Sequence, residues 1–390
     1  MRRLVQFFVY EKMFKKFISA VFCAGLCVNL VIAQESKTIQ KIRGEIGKKL
    51  DAHLTMLVDK GFSGVVFVAK KDKIILAKGY GFSDRESRIP VTTSTIFPIG
   101  SVTKQFTAAA IVKLEMQGKL QVTDPITKYL KDVPPDKSKI TIHQLLTHSS
   151  RIPYVVGSCK QIKTRDEFVT MVLNAPLSYE PGTKYEYSNS AYDLLAVIVE
   201  LAAGVPFEEY LSENLFKPVG MKQTGTFVPK YSLENIAVGY RDGKRWGTIY
   251  EKLFRYDYPN RKFSGVYGFV VCGRGAGATL STVDDLYKWH KQFEGKRVFT
   301  RAAKEKIFTP HFPEGEGAAS FYGYGWAIFP TPRKTKLITH NGSVNDVFEA
   351  DFLRYVDEDV VFILMTNSLY LEQGALNLSP KIAKIIFETK

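Results

Sequence analysis

The spacing of apolar positions divides the chain into segments that predict strands and segments that predict helices. Near the start, apolar runs at residues 63–69 and 73–79 flank a charged triplet, which predicts a β-hairpin. Apolar residues then recur at steps of three and four over residues 101–117, which predicts a helix that stops at Gly118. The first half of this segment is apolar nearly all round, so we expect the helix to be buried.

Helical spacing continues through the middle of the chain, and strand-like runs return toward its end. An Asp-Pro pair at 124–125 predicts another helix start, and the aromatic- and Gly-rich residues 226–275 predict long loops and short strands. The remaining predicted helices cover 142–147, 165–174, 191–203, 207–215, 282–293 and 381–388, and the remaining predicted strands cover 325–329, 337–340, 348–354 and 360–366. This order predicts an α/β unit whose sheet comes from both chain ends, with a helical region inserted at about 121–225.

The N-terminus has the pattern of an export signal. Lys15 and Lys16 precede an apolar run at residues 17–33, which ends in small residues suited to signal peptidase. We predict a signal peptide over 1–33, a polar tether over 34–45 and a folded domain over 46–390, with the mature protein periplasmic or extracellular. The alternative is an uncleaved membrane anchor at 17–33, a length that is short for a membrane span.

The net charge and the cysteine content limit the classes of protein to which the chain can belong. The 390-residue chain has 54 Lys and Arg against 39 Asp and Glu, a formal net charge of +15. The basic residues are scattered and no nucleic-acid-binding signature accompanies them, which favours a basic surface suited to an anionic cell envelope over nucleic-acid binding. Beyond the signal only Cys159 and Cys272 remain, and whether they pair stays open.

Ser101 and Lys104 form the first candidate for chemistry. A serine hydroxyl needs a neighbouring base to become a nucleophile, and residues three apart share one face of a helix. Ser101 is the only serine in the chain with a lysine three positions later. It also begins the predicted helix, where free backbone N–H groups favour developing negative charge.

Two later motifs supply the groups that such chemistry requires. Tyr187 and Asn189 precede a predicted helix, where a phenol can relay protons and an amide can orient a lysine and a substrate. A Tyr-Pro-Asn triplet at 258–260 has the same spacing and is the less favoured alternative. His340, Asn341 and Gly342 end a predicted strand, and the N–H of the next residue, Ser343, would face the N–H of Ser101 as an oxyanion hole.

Several stretches together resemble the superfamily of serine β-lactamases and penicillin-binding proteins. The resemblance is closest to the branch with Tyr-x-Asn and His-x-Gly motifs, which includes class C β-lactamases, D-alanyl-D-alanine carboxypeptidases and related esterases. The stretches that carry it are IGSVTKQFT at 99–107, HQLLTHSS at 143–150, YSN at 187–189, LSTVDDL at 280–286 and YGW at 324–326.

The resemblance implies a β-lactamase-like fold of the α+β type, with a mainly antiparallel sheet flanked by helices, and no metal or organic cofactor. It implies an acyl-enzyme on Ser101 and an amide or ester substrate, such as a D-alanyl peptide of cell-wall origin or a carboxylic ester. The implied catalytic residues are Ser101, Lys104 and Tyr187, and the implied substrate-binding residues are Asn189, His340, Asn341, Gly342 and Ser343. The alternatives are a class C-type β-lactamase, a receptor that is acylated without turnover, and a basic surface-binding protein with a decayed site.

The sequence departs from the family pattern at three positions. Arg151 stands where the pattern usually has Gly, and Asp346 stands where Gly is common. Asn341 replaces the usual Ser or Thr of the third motif. The lost hydroxyl makes recognition of a β-lactam carboxylate doubtful, whereas the acylating groups are all present.

Overall fold

A nine-stranded antiparallel sheet made from both ends of the chain carries the candidate site. The structure, a computed structural model, describes residues 40–157, 162–226, 233–248, 269–270, 273–369 and 374–389, which fall in the compact unit Gln40–Lys390. The sheet strands are β1 (Lys41–Ile42), β2 (Gly64–Lys70), β3 (Lys73–Tyr80), β4 (Phe312–Pro313), β5 (Phe321–Tyr322), β6 (Ala327–Pro330), β7 (Lys336–Val344), β8 (Phe348–Tyr355) and β9 (Val360–Thr366). Their order is β1-β3-β2-β9-β8-β7-β6-β5-β4.

The predicted architecture is confirmed, because β2 from the first part of the chain pairs with β9 from the last. Both strands are apolar without interruption, since helices cover both faces of the sheet at its centre. The side chains of β2 alternate between two hydrophobic cores: Val65 and Phe67 face one, and Val66 and Val68 face the other.

Helices fill the space between the strands in sequence. The described helices are α1 (Gly44–Val58), α2 (Lys104–Met116), α3 (Ile142–Leu146), α4 (Arg165–Asn174), α5 (Asn189–Ala203), α6 (Phe207–Leu211), α7 (Lys217–Val219), α8 (Val283–Gln292), α9 (Arg301–Ile307) and α10 (Ala375–Glu388). Three short 3-10 turns cover Gly100–Thr103, Ile126–Lys128 and Leu233–Asn235, and a π-turn covers Ser212–Phe216.

The remaining described strands form small pairs outside the large sheet. They are Phe82–Asp84 with Ile89–Pro90, Phe97–Pro98 with Leu280–Ser281, Ile162–Lys163 with Phe269–Val270, and a three-stranded group of Gly239–Arg241, Lys244–Gly247 and Ser368–Leu369. The Leu280–Ser281 pair matters for the site, because it holds the chain that leads into Gly100–Thr103.

Local capping explains several of the helix starts. Thr141 and Thr164 each accept the backbone N–H of the residue three positions on, whose side chain bonds back, so α3 and α4 begin with complete capping boxes. Ser188 caps α5 by accepting the Ala191 N–H, and Gly204 ends that helix in the left-handed conformation. These caps fix the ends of the helices that border the candidate site.

Some sequence predictions need correction. The Asp-Pro start at 124–125 yields only the 3-10 turn Ile126–Lys128, and the predicted helix 207–215 is interrupted by a π-turn. The last helix begins earlier than predicted, at Ala375, although Pro380 lies inside it, where the proline nitrogen cannot donate a helical hydrogen bond. The sequence analysis did not predict helix α9. It also predicted a polar tether over residues 34–45, but β1 and the start of α1 lie within this range.

Among the described residues, no single helix is long and apolar enough to cross a membrane. The helices Asn189–Ala203 and Phe207–Val219 reach the length and apolar composition of a membrane span only when they are counted together. The break between them bends the pair by 77°. The predicted signal, residues 1–33, lies outside the described residues.

Candidate active site

Ser101 lies in the 3-10 turn that precedes α2, where the turn packs against the end of β7. Gly100 has a φ of 51°, and a Cβ atom added there would lie 2.7 Å from the Ser343 nitrogen. Only glycine fits this backbone conformation and this close approach at once. The predicted helix at 101–117 therefore begins as a 3-10 turn, and the turn presents Ser101 beside β7.

Lys104 is fully buried directly beneath Ser101. Its Nζ lies 3.1 Å from Ser101 Oγ, 2.7 Å from Asn189 Oδ1 and 2.8 Å from the carbonyl oxygen of Ala276. These three partners satisfy the three donors of the amine and fix its position. The structure therefore brings together Ser101, Lys104 and Asn189, although Lys104 and Asn189 are 85 residues apart in the sequence.

Burial changes the protonation of Lys104. Desolvation lowers the pKa of its amine from 10.5 to about 7, although the charge of Asp193 acts in the opposite direction. A large fraction of the amine is therefore neutral at neutral pH, and a neutral amine can accept the Ser101 proton. An exposed lysine would have almost no neutral fraction under the same conditions.

Tyr187 borders the same pocket from the start of α5. Lys104 Nζ lies 4.7 Å from the centroid of the Tyr187 ring, and the Ser101 side chain is close enough to the Tyr187 phenol to affect its pKa. Burial raises the pKa of this phenol well above its usual value. Tyr187 is consequently a neutral hydroxyl that can donate one proton and accept another, as a relay requires.

His148 positions Tyr187, and the sequence analysis assigned it no role. It is fully buried, its Nδ1 accepts the backbone N–H of Ser188 at 3.0 Å, and its ring lies 4.3 Å from that of Tyr187. Burial and the nearby charge of Lys104 lower its pKa well below 6.5, so the ring is neutral. The sequence did contain a clue to this role, because His148 lies within the family-like stretch HQLLTHSS at 143–150.

The third motif lies on β7, opposite Lys104 and Tyr187. His340 is buried, its Nδ1 lies 2.6 Å from the Asn341 carbonyl, and its Nε2 lies 2.8 Å from the Tyr322 hydroxyl. A carbonyl only accepts, so Nδ1 carries the proton and Nε2 accepts from Tyr322. Burial and the Lys104 charge lower the pKa of His340 to about 3, which keeps it neutral.

Gly342 allows β7 to approach the nucleophile. A Cβ atom added at Gly342 would lie 2.1 Å from the Ile99 carbonyl and 2.7 Å from the Ser101 nitrogen. The backbone at Ser343 is equally close to Gly100. The N–H groups of Ser101 and Ser343 therefore border one small space, which is where a two-donor oxyanion hole is expected.

This close approach makes Gly342→Ala a test of the oxyanion geometry. The added methyl must push β7 away from Ser101, and loss of one oxyanion donor lowers kcat by about 10²-fold or more. Steady-state kinetics measure the loss, and thermal unfolding checks that the variant folds. Gly295→Ala is the control, because its new Cβ would meet nothing nearer than 3.9 Å. Equal activity of the two variants would contradict the geometry.

Asp193, another residue that the sequence analysis did not single out, anchors the chain that holds Lys104. Its buried carboxylate accepts the N–H groups of Gly273 at 3.0 Å and Gly275 at 2.8 Å. The next residue, Ala276, offers its carbonyl to Lys104. Burial raises the pKa of Asp193 to about 6, so the group is mostly ionised at neutral pH.

We expect Asp193→Asn to shift the acidic limb of the activity–pH profile toward lower pH by about one unit. The carboxylate charge raises the pKa of Lys104, so removing that charge lets the pKa of the amine fall further. Asp285→Asn is the matched control, because Asp285 is also buried and accepts a backbone N–H, that of Gln223 at 2.6 Å, without affecting Lys104. An unshifted limb in Asp193→Asn would contradict this role.

The departure at Arg151 has a structural explanation. Its φ is 66°, a conformation that favours glycine, which is the usual residue there. The buried guanidinium lies 3.0 Å from Glu186 Oε2, donates to Ser178 and stacks 4.2 Å from the Tyr179 ring. These contacts compensate for the backbone strain and fix the chain just before Tyr187.

The remaining residues singled out in the sequence lie at the end of β7 or outside the described residues. Asn341 and Ser343 are exposed on β7, and Asp346 lies in the turn after it with a φ of 49°. The alternative Tyr-Pro-Asn triplet at 258–260, Cys159 and Cys272 lie outside the described residues.

Comparison with known proteins identifies the family. The sequence profile of the β-lactamase family matches residues 48–385, and the chain therefore belongs to that family, within the superfamily of serine β-lactamases and penicillin-binding proteins. Penicillin-binding protein 4* of Bacillus subtilis is 28% identical over 316 residues, which cover 78% of this chain and 68% of that protein.

Two solved structures are similar over most of the chain. The octameric penicillin-binding protein homologue from Pyrococcus abyssi has a TM-score of 0.74 and 26% identity, covering 89% of this chain and 78% of that one. A penicillin-binding protein from Bacillus halodurans has a TM-score of 0.70 and 26% identity, covering 88% of this chain and 100% of that one. The predicted β-lactamase-like fold is thereby confirmed.

Proposed function

We propose that this protein is a serine hydrolase that forms an acyl-enzyme on Ser101 and cleaves an amide or an ester. One observation carries the proposal: a buried amine with a pKa of about 7 lies 3.1 Å from the hydroxyl of Ser101. A base with a pKa near the working pH activates a serine most effectively. Membership of the β-lactamase family supports the same chemistry.

In the acylation step, Ser101 Oγ bonds to the substrate carbonyl carbon while neutral Lys104 takes the hydroxyl proton. The carbonyl oxygen becomes an oxyanion between the N–H groups of Ser101 and Ser343. As the bond to the leaving nitrogen or oxygen breaks, the Tyr187 hydroxyl passes a proton to the leaving group and is reprotonated from Lys104. Asn189 holds Lys104 in place and offers its amide to the substrate.

In the deacylation step, water replaces the leaving group. The water loses a proton toward Tyr187 and neutral Lys104 and attacks the acyl carbon through the same oxyanion. The bond between the acyl carbon and Ser101 Oγ then breaks, and Ser101 recovers its proton. The relative positions of the three side chains are suited to both directions of proton transfer.

We propose that esters or D-alanyl peptides, rather than β-lactams, are the preferred substrates. Neutral His340 offers no cation on β7, and Asn341 offers an amide where the family usually has a hydroxyl. A hydrogen bond to a charged group contributes about 1.5–3 kcal/mol, so its loss weakens recognition of an anionic β-lactam by roughly ten- to a hundredfold. The sequence resemblance to D-alanyl-D-alanine carboxypeptidases supports a D-alanyl peptide as the amide substrate.

We therefore expect His340→Lys combined with Asn341→Thr to raise kcat/KM for a cephalosporin more than kcat/KM for an ester. In the double variant, Lys at position 340 supplies a cation and Thr at position 341 supplies a hydroxyl, and both groups can bind a substrate carboxylate. Each single variant serves as its control. A wild-type protein that hydrolyses cephalosporins faster than any ester or D-alanyl peptide would contradict the proposed ranking and favour a class C-type β-lactamase.

The kinetics of product release distinguish an enzyme from an acylated receptor. Purified protein is mixed with a chromogenic ester, a chromogenic cephalosporin and a D-alanyl-D-alanine peptide in separate assays. We expect a steady rate after any burst with at least one of them. A burst that stops at one equivalent of product in every assay would contradict the hydrolase and indicate a non-catalytic penicillin-binding or cell-wall sensor protein.

We also propose that the protein is exported, with its mature N-terminus near residue 34, and that it meets a small-molecule or peptide substrate rather than nucleic acid. The basic residues before an apolar run carry this proposal. N-terminal sequencing of the protein from its host tests it. Retention of residues 14–33 in a membrane fraction would favour the anchor at 17–33.

A further inference from the structure

A cavity of about 890 Å³ lies between α10 and strands β6 to β8. At one end it reaches Tyr187 and His340, which flank the nucleophile. Its volume falls within the usual range for a small-molecule site. The catalytic steps proposed above do not use the far end of this space.

The course of β7 explains how the cavity reaches the active site. Strand β6 pairs with β7 only over Lys336–Thr339, whereas β7 continues to Val344. Past Thr339, β7 therefore has no partner strand on that side among the described residues. A molecule held at Ser101 can pass around this open edge to the side of the sheet that α10 covers.

The walls of the far end are mainly apolar. Phe329, Leu337, Leu353, Tyr355 and Phe387 line it from β6, β7, β8 and α10. Leu337, Leu353 and Tyr355 are buried, so these walls belong to the packed core and do not close up easily. Such a surface suits an alkyl chain.

Of the five charged side chains that line the cavity, Asp351 alone is buried, and the two basic ones, Arg333 and Lys384, already form ion pairs with other carboxylates. Asp351 pairs with Asn341 across β7 and β8, is 5% exposed and lines the cavity. The Thr339 hydroxyl lies 3.5 Å from Asp351 Oδ1, and no basic side chain among the described residues forms an ion pair with this carboxyl. Burial raises its pKa to about 7, which shows how poorly its charge is compensated.

We propose that this cavity is a subsite for an apolar chain ending in an ammonium group, and that Asp351 is the counter-ion of that group. As a substrate subsite, the assignment rests on the proposed hydrolase function. A bound ammonium supplies the missing positive partner, and the alkyl chain covers the apolar walls. A buried charge-assisted hydrogen bond of this kind is among the stronger interactions in proteins.

The binding test does not depend on hydrolysis. The Ser101→Ala protein is titrated calorimetrically with n-hexylammonium and, separately, with 1-hexanol, which has the same chain and no charge. We expect n-hexylammonium to bind about tenfold or more tightly. Asp351→Asn should remove this preference, whereas Asp166→Asn, which removes a carboxylate that is 86% exposed on α4, should preserve it.

A second variant covers the case in which Asp351→Asn does not fold. Ala383→Phe fills the cavity from the partly buried side of α10 and should abolish binding of both ligands, with thermal unfolding as the check of folding. Equal affinity for the two ligands, or a preference that survives in folded Asp351→Asn, overturns the role of Asp351. Undiminished binding to folded Ala383→Phe overturns the cavity as the site.

A substrate series links the cavity to hydrolysis. 4-Nitrophenyl esters of ω-amino acids with four to ten carbons are compared with their methyl-ended analogues. We expect at least one amino ester to exceed its analogue about tenfold in kcat/KM, with the advantage lost in Asp351→Asn. Equal rates throughout the series overturn the substrate role. If no ester is hydrolysed yet n-hexylammonium still binds, the hydrolase proposal fails and the binding site stands.

Discussion

Ser101→Ala should reduce turnover of any accepted substrate by roughly 10³-fold or more. The variant removes the hydroxyl oxygen that lies 3.1 Å from the Lys104 amine and interacts with the Tyr187 phenol. Loss of a serine nucleophile leaves only the catalysis due to binding and the oxyanion hole. Steady-state kinetics with the best substrate from the ester, cephalosporin and peptide panel measure the loss.

Ser138→Ala is the matched control for this variant. Ser138 is a partly exposed serine whose hydroxyl donates to the Pro135 carbonyl, so its removal should leave kcat/KM unchanged. Thermal unfolding of both variants separates loss of chemistry from loss of fold. A Ser101→Ala protein that remains folded and retains more than a few per cent of the activity would show that another group is the nucleophile.

Lys104→Met should lower kcat/KM by about 10²- to 10⁴-fold, the range that general acid–base groups contribute. Methionine keeps a long side chain in the buried site but cannot accept the Ser101 proton. Lys113→Met is the control, because Lys113 lies on the same helix and also donates to a backbone carbonyl, that of Val298 at 2.9 Å. Stopped-flow measurement of the acylation rate locates the loss in the first step.

The pH dependence of the wild type belongs to the same prediction. The working base is the neutral amine, so kcat/KM should rise as pH increases through about 7 and level off above it. Below pH 7 the rate should fall about tenfold per unit, as the protonated fraction of Lys104 grows. A profile that is flat between pH 5 and pH 9, or an acidic limb that persists in Lys104→Met, would contradict the assignment of the base.

The sequence predicted well those features that depend on neighbouring residues. Helical spacing placed α2, and the Ser-x-x-Lys interval at its start put Ser101 and Lys104 together, because three residues make one turn of a 3-10 helix. Apolar runs placed β2 and β9, and strands at both ends of the chain correctly predicted one sheet made from both ends, in which these two strands pair. Each of these inferences required only a local period and a general rule of packing.

Features that depend on contacts between residues far apart in the sequence were harder to predict. His148 and Asp193 look like ordinary polar residues on the edges of helices, yet both are buried against chain segments far away in sequence. Asp351 reads as a polar position on a solvated strand face until α10 is seen to cover it. Burial of a lone polar group against the hydrophobic trend has no local signal, since tertiary packing decides it.

Mass spectrometry of the trapped intermediate tests the central claim most directly. The protein is mixed with an activated ester that acylates quickly, quenched in acid within seconds and measured intact, and the modified peptide is then sequenced. The proposed function predicts one acyl adduct per chain, located on Ser101 and absent from Ser101→Ala. An adduct on any other residue, or an unmodified protein that still releases product, would contradict the acyl-enzyme mechanism.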